Sequence, residues 1–201
     1  MDIEVPIREL GEVDMAPLRD AILAQEEAAW HEDEYRQQTY DVHLQTHSIV
    51  LLFTDGSDWP DPDIRKEPGW DRLADVAVPI MDDILAKHYP PGGTIIRAMA
   101  AKLLPGGKIT PHHDSHPSFH CGHRIHIPIQ TNSRVRFMIE GRPYTFEVGQ
   151  AYEVNNQKQH SVMNKGSDCL LYTSPSPRDI SAYRVCRLLL ENGGGGGGGG
   201  G

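Results

Sequence analysis

The side chains with the most chemical potential in this 201-residue chain are its histidines, eleven in all, of which six lie between His112 and His126. His112 and Asp114 stand as H-x-D in the segment KITPHHD, whose pattern is typical of a strand. Side chains two residues apart in a strand lie on one face, so this imidazole and carboxylate can aim at one point. His160, in the later strand-like segment QHSVMN, is the obvious candidate for a third donor because a closed β-structure can bring it alongside.

Two imidazoles and one carboxylate can occupy one face of an octahedron around a metal ion and leave three positions open. Non-heme Fe(II) oxygenases use this donor set, with the open positions taken by a chelating co-substrate and O2. Zinc and nickel accept similar donors, so the residues alone predict a metal site without fixing the metal. The alternative is a solvated surface cluster of histidines.

The next strand-like segment, RIHIPI, alternates in character. Arg124 and His126 share one face, while Ile125, Ile127 and Ile129 share the other. One interpretation is a barrel strand with a polar, solvent-facing side. The functional interpretation is that Arg124 and His126 point into the metal pocket and hold the carboxylates of an anionic co-substrate. The remaining histidines of this region are expected in a loop near the site and not as ligands: His113, His116, His120 and His123.

The N-terminal part is predicted to be helical. Residues 15–30 and 70–89 show the apolar spacing of amphipathic helices, the second with a kink expected at Pro79. Residues 47–56 form a continuous apolar run that predicts a buried strand, and residues 55–69 are rich in the Pro, Gly and Asp of a loop.

From Gly92 onward, short strand-like segments alternate with turn signals. A helical part of about residues 1–90 before a β-core of about 92–168 predicts a mostly β fold with N-terminal helices, either an antiparallel barrel or a double-sheet jelly roll.

Composition excludes several classes of protein. The formal net charge of −9 argues against non-specific nucleic-acid binding, and no apolar run reaches the ~18 residues of a membrane span. Three cysteines without CxxC spacing cannot form a disulfide framework, so a reducing, cytoplasmic location is expected.

The C-terminal segment is unlike the rest of the chain. Residues 169–179, CLLYTSPSPRD, resemble the conceptual translation of a sequencing adapter, and residues 185–192 resemble a translated flow-cell primer. Nine glycines follow at residues 193–201. We expect the natural reading frame to end near Asp168 and the remainder to be read-through.

The order of PHHD, RIHIPI and YEVNNQKQHSVMNKG resembles the aspartyl/asparaginyl β-hydroxylase domain over about residues 95–168. The resemblance implies a double-stranded β-helix (jelly roll, cupin-like), iron at His112, Asp114 and His160, and contacts from Arg124 and His126 to 2-oxoglutarate.

The chain departs from the family at one point. Members carry an Arg about ten residues after the distal His, where this chain has Cys169 and Leu170. The read-through hypothesis explains the missing Arg and implies that this chain is impaired.

Three functions follow as hypotheses. The leading one is an Fe(II)- and 2-oxoglutarate-dependent dioxygenase that uses O2 to hydroxylate an Asp, Asn or Pro type side chain in a peptide, or a small molecule. The second is a cupin-like metal- or ligand-binding module without turnover. The third, a structural zinc site, is disfavoured because the chain lacks paired cysteines.

Overall fold

The structure is a computed structural model that describes residues 3–32, 44–54, 63–114, 119–120 and 122–167, together with the backbone of 169–178. The strands are β1 (Ile7–Glu12), β2 (Thr46–Phe53), β3 (Arg65–Lys66), β4 (Thr94–Ile95), β5 (Ala98–Leu103), β6 (Lys108–His112), β7 (Gly122–Gln130), β8 (Val135–Ile139), β9 (Arg142–Tyr144), β10 (Gln150–Val154), β11 (His160–Asn164) and β12 (Cys169–Arg178). The helices are α1 (Ala16–Leu23), a 3-10 turn (Glu27–His31) and α2 (Gly69–His88).

The predicted helix at residues 15–30 is present but divided. It begins as α1, with Pro17 in its first turn, where the missing N–H costs no hydrogen bond. Glu26 has an extended backbone with ψ of 154°. The extended residue separates α1 from the 3-10 turn, which places Ala29 and Trp30 in the core.

The second predicted helix is α2, a continuous helix of 20 residues. Pro79 lies inside it and removes one backbone donor, yet the helix continues through this position. A buried stripe that includes Leu73, Ile80 and Ile84 holds α2 against the sheet, so packing outweighs the lost hydrogen bond. No helix in the described ranges has the length and apolar character needed to cross a membrane.

Helix α2 packs closely on β2 at its first residue. A Cβ added at Gly69 would collide with the carbonyl oxygen of Val50, so only glycine allows this approach. Strand β2 is the apolar run predicted at residues 47–56, of which residues 55–56 lie outside the described part. The predicted loop at 55–69 is described only from residue 63, and there it contains the short strand β3.

The strands form two antiparallel sheets, in agreement with the predicted mostly β fold with N-terminal helices. The larger sheet has the order β1-β10-β7-β12-β5-β2-β3, with β4 paired to β12. The smaller sheet has the order β6-β11-β8-β9. Apolar side chains of both sheets, including Leu103 and Tyr152 from the larger and Phe137 and Val162 from the smaller, make a shared core between them. The architecture is a double-stranded β-helix of the cupin-like jelly-roll type.

Strand β7 separates two environments. Ile125, Ile127 and Ile129 belong to the core between the larger sheet and the helices. His126, on the opposite face, lies with its ring centroid 5.8 Å from that of Phe137, which belongs to the core between the sheets. The alternation of RIHIPI therefore directs its polar residues to the interior of the β-structure.

The part of the chain predicted to be helical also supplies strands to the larger sheet. Strand β1, IRELGE, has no clear apolar alternation and was not predicted; it pairs with β10 at the sheet edge. Gly11, with φ of +92°, adopts the left-handed backbone conformation where the pairing shifts register between Glu9 and Gly11.

Strand β12 lies between β5 and β7 and pairs with both. The segment that resembles a translated adapter thus includes a strand of ten residues, from Cys169 to Arg178. It includes Pro175, which pairs with Arg124, and Pro177, which pairs with Ile95. Proline cannot donate to a ladder and is unusual within a sheet. The proposed end of the reading frame near Asp168 stays a prediction.

Candidate metal centre

His112, Asp114 and His160 come together where two neighbouring strands meet. His112 ends β6, His160 begins β11, and the two residues are direct partners in the antiparallel pairing. Their imidazole centroids are 4.3 Å apart. Asp114 follows β6, and its Oδ1 lies 3.7 Å from Nε2 of His112 and 3.9 Å from Nε2 of His160. One donor atom from each residue lies within 4.8 Å of the other two, which is compact enough for a single metal ion.

Backbone carbonyl groups orient both imidazoles. Nδ1 of His112 lies 2.8 Å from the carbonyl oxygen of Thr110, and Nδ1 of His160 lies 3.0 Å from that of Lys158. A carbonyl only accepts hydrogen bonds, so each Nδ1 carries the proton and donates it. In the neutral form of each ring the lone pair is therefore on Nε2, the nitrogen that lies nearer Asp114, as metal-binding histidines require.

The protonation of His160 favours metal binding. Burial, opposed by the negative charge of Asp114 and assisted by the positive charge of Arg124, lowers the pKa of His160 to about 4. The imidazole is therefore neutral at pH 7, and a metal ion does not have to displace a proton from it.

Arg124 is paired with the carboxylate of the cluster. Its Nη1 lies 2.7 Å from Oδ2 of Asp114, and Oδ1 remains directed at the two imidazoles. Arg124 also donates from Nε to Nε2 of His126 at 3.3 Å. The acceptor role requires an unprotonated Nε2. In agreement, burial and then the charge of Arg124 hold the pKa of His126 well below its usual 6.5.

The five residues singled out from the sequence are thus joined by a continuous series of contacts. His112, Asp114 and His160 form the donor cluster, Arg124 contacts Asp114, and His126 contacts Arg124.

Three residues near the cluster were not singled out from the sequence: Arg97, Phe119 and Gln157. The ring of Phe119 lies 5.3 Å from the guanidinium carbon of Arg124 and 5.0 Å from that of Arg97. Gln157 donates from Nε2 to the carbonyl oxygen of Phe119 at 3.0 Å, which connects this ring to the turn before His160. Arg97 sits in the apolar segment IIRAMA, and Phe119 in a histidine-rich stretch, so neither has a local pattern that indicates a site.

The expected loop histidines have different environments. His113 and His120 are exposed, and His116 lies outside the described residues. His123 is not a loop residue: it lies in β7, is buried, and binds the carboxylate of Glu153 through Nδ1. The strand begins earlier than expected because the buried Glu153 of β10 provides a partner for the imidazole.

Glu153 is the centre of a buried charged group on the helix-facing side of β7. It is 0% exposed and lies 2.5 Å from Nη2 of Arg8 on β1, in addition to its bond to His123. Burial alone would raise the pKa of Glu153, but the hydrogen bond and charge of His123, with the charge of Arg8, lower it overall. The ring of Tyr89 lies 4.5 Å from that of His123. Neither Glu153 nor His123 belongs to a candidate metal cluster of the described residues.

The donor cluster fits Fe(II). Two neutral imidazole nitrogens and one carboxylate oxygen match the facial triad, and the ring orientations already suit coordination. Zinc fits the same donors, so the choice of metal depends on the family.

Comparisons with known proteins identify that family. The model of the family described as aspartyl/asparaginyl beta-hydroxylase matches residues 20–169. No protein with a curated description matches the chain. An oxidoreductase of the 2OG-Fe(II) oxygenase family from Burkholderia pseudomallei is similar in structure, with 12% identity and a TM-score of 0.50 over 68% of this chain and 73% of that chain.

A prolyl-4-hydroxylase from Pseudomonas putida gives 13% identity and a TM-score of 0.49 over 86% of this chain and 92% of that one. At 12% identity, the likeness to the Burkholderia protein shows a shared fold and no more. The family model matches about three quarters of the sequence, including the donor cluster and the strand that carries Arg124. The chain therefore belongs to the aspartyl/asparaginyl beta-hydroxylase family.

Proposed function

We propose that this protein is an Fe(II)- and 2-oxoglutarate-dependent dioxygenase that hydroxylates an amino-acid side chain of the Asp, Asn or Pro type, in a peptide or as a small molecule. His112, Asp114 and His160 hold the iron, and Arg124 and His126 contact the co-substrate. The proposal depends most on the spacing of the donor atoms around Asp114 Oδ1, with both histidine Nε2 atoms within 4 Å of it and both Nδ1 atoms bonded to backbone carbonyl groups.

The iron, when bound with 2-oxoglutarate and O2, supplies the oxidation of a substrate C–H bond and the release of succinate and CO2. The chain's own part is to hold the metal ligands in position and to orient the co-substrate. The carbonyl groups of Thr110 and Lys158 fix the two imidazoles, so coordination requires no change of tautomer.

Arg124 has two functions in this proposal. Through Nη1 it holds Asp114 in place and offsets the charge of a carboxylate that is only 10% exposed. A guanidinium has five N–H donors, more than its contacts with Asp114 and His126 use, so it can also bind an anionic co-substrate. Neutral His126 can turn one nitrogen toward that co-substrate without adding a second positive charge.

The surroundings of these groups limit access of water. The side chains of Arg124 and Asp114 are 16% and 10% exposed, His126 packs near Phe137 and Phe146, and the ring of Phe119 lies over the guanidinium. Low exposure strengthens the charge-assisted hydrogen bonds that would hold a dicarboxylate.

The test is succinate formation from 2-oxoglutarate by the full chain with Fe(II) and O2, in the presence of Asp-, Asn- and Pro-containing peptides and the free amino acids. We expect succinate from the wild-type chain and from His88→Ala, which removes an exposed histidine of α2, and none from His112→Ala. The substrate is the compound that gains one oxygen atom by mass. Stoichiometric metal binding without any succinate would instead support the cupin-like module without turnover.

A further inference from the structure

A second group of two histidines and one carboxylate lies outside the metal centre. Glu27 and His31 lie on the 3-10 turn, and His47 lies near the start of β2. Oε1 of Glu27 lies 3.4 Å from Nε2 of His31 and 3.6 Å from Nδ1 of His47. As in the metal centre, one donor atom from each residue lies within 4.8 Å of the others.

The spacing of these donors fits a tetrahedral ion. Zinc bonds to nitrogen and oxygen of about 2.0–2.1 Å place two tetrahedral ligands about 3.3–3.4 Å apart. The two oxygen-to-nitrogen distances, 3.4 and 3.6 Å, are close to that value, and shorter than the 3.7 and 3.9 Å around Asp114. A small inward movement of the rings completes the geometry.

The fold holds the three side chains in this arrangement. Buried Trp30 anchors the turn that carries Glu27 and His31. His47 is the direct strand partner of Lys102 on β5. Lys102 reaches Oε2 of Glu27 at 3.4 Å, so the other oxygen, Oε1, is the one that faces both imidazoles. An outer group that orients a ligating carboxylate in this way is typical of metal sites, although its positive charge lowers the affinity for a cation.

The cluster is open to solvent. The side chains of Glu27, His31 and His47 are 63%, 41% and 23% exposed, so an ion can enter and keep water as its fourth ligand. A fully exposed group of charges would lack fixed geometry. Here the 3-10 turn, strand β2 and Lys102 restrict the positions of the three side chains.

We propose that Glu27, His31 and His47 form a second metal site, which binds a divalent transition-metal ion of the Zn2+ class in a tetrahedral arrangement with water. The ion links the 3-10 turn to the start of β2, away from the catalytic donors. The site has a single carboxylate and a neighbouring lysine, so it binds more weakly than a structural zinc site with cysteine ligands.

The experiment is calorimetric titration of the full chain with Zn2+ at pH 7.5, with elemental analysis after desalting. We expect two ions per wild-type chain, and one in each of His31→Ala, His47→Ala and Glu27→Gln, the last of which keeps the shape of the side chain. His88→Ala, the loss of an exposed histidine elsewhere, keeps both ions. The affinity at the second site should fall by about tenfold or more in each ligand variant.

A complementary measurement separates this site from the proposed oxygenase centre. In His112→Ala/His160→Ala we expect one remaining ion, and Co2+ bound there should give the intense visible absorption of tetrahedral coordination. If that variant does not fold, the loss of one ion from Glu27→Gln in the otherwise intact chain gives the same information. Wild-type stoichiometry in Glu27→Gln and His47→Ala, or octahedral Co2+ only, overturns the proposal and leaves the oxygenase assignment unaffected.

Discussion

Arg124 and Asp114 form an ion pair inside the candidate metal centre, with Nη1 of the guanidinium 2.7 Å from Oδ2 of the carboxylate. The two oxygens of Asp114 thus have different partners, Oδ1 facing the imidazoles of His112 and His160 and Oδ2 facing the guanidinium. A carboxylate shared in this way is held in position before metal binds. The pair also connects the metal ligands directly to the strand proposed to bind the co-substrate.

The first prediction concerns the metal ligands. His112→Ala or His160→Ala should abolish stoichiometric Fe(II) binding, because two remaining donors hold the ion poorly. Asp114→Ala should reduce affinity less, since both oriented imidazoles remain. Elemental analysis after anaerobic loading measures occupancy. Full occupancy in His160→Ala would exclude His160 from the centre.

The second prediction concerns Arg124. Arg124→Met keeps an apolar stem but removes the donors to Asp114 and to an anionic co-substrate, so 2-oxoglutarate should bind about ten- to a hundredfold more weakly, as expected for the loss of a charge-assisted bond of roughly 1.5–3 kcal/mol. Anaerobic titration of the Fe(II) protein, followed by the metal-to-ligand absorption band, measures the change.

Lys87→Met is the matched control for Arg124→Met, since it removes a cation from an exposed ion pair with Asp83 on α2. It should leave the affinity unchanged. Equal affinities in Arg124→Met and the wild type would show that Arg124 serves Asp114 alone.

The third prediction concerns acid stability of the metal-free chain. The pKa of His160 is lowered to about 4 in the folded state, against about 6.5 for an exposed histidine. Between these values the unfolded chain binds a proton at this position and the folded chain does not, so the free energy of unfolding falls as the pH falls from 6.5 to 4. Urea denaturation across this range measures the slope. His160→Gln should reduce the slope and His88→Ala should not.

The fourth prediction concerns Glu153, buried between Arg8 and His123. Glu153→Gln removes the negative charge that both partners bind, and we expect the free energy of unfolding to fall by about 1–3 kcal/mol. Glu140→Gln, which removes an exposed ion pair with Lys158, is the control. It should lower the free energy of unfolding by less than about 1 kcal/mol. A Glu153→Gln variant as stable as the control would show that the buried charge contributes nothing net.

The parts of the site that depend on local periodicity were predictable. H-x-D and R-x-H place their members on one face because a strand repeats every two residues, and the structure has both segments in or beside strands. The position of His160 could not be predicted from local periodicity. Its strand-like segment made it a candidate donor, but its position opposite His112 depends on the register between strands 48 residues apart in the sequence, which local periodicity does not contain.

Other features left no local signal. The mixed sequence IRELGE becomes strand β1 because β10 offers an edge, and the bond from His123 to Glu153 joins residues 30 positions apart. The division of the first helix follows from the extended backbone of a single residue, Glu26. The first two are decided by tertiary contact, which a window of sequence does not contain.

The last prediction concerns the Arg that the family places about ten residues after the distal histidine, where this chain has Cys169 and Leu170. If the natural reading frame ends near Asp168, the chain lacks a partner for the second carboxylate of 2-oxoglutarate, while strand β12 still supplies backbone pairing to β7. Leu170→Arg or Cys169→Arg should then raise 2-oxoglutarate affinity by about ten- to a hundredfold, from a bond of roughly 1.5–3 kcal/mol, in the same anaerobic titration. Leu170→Lys should give a smaller gain in affinity, because an ammonium group cannot make the paired, planar hydrogen bonds that a guanidinium makes to a carboxylate. No gain at either position would mean that Arg124 and His126 alone hold the co-substrate.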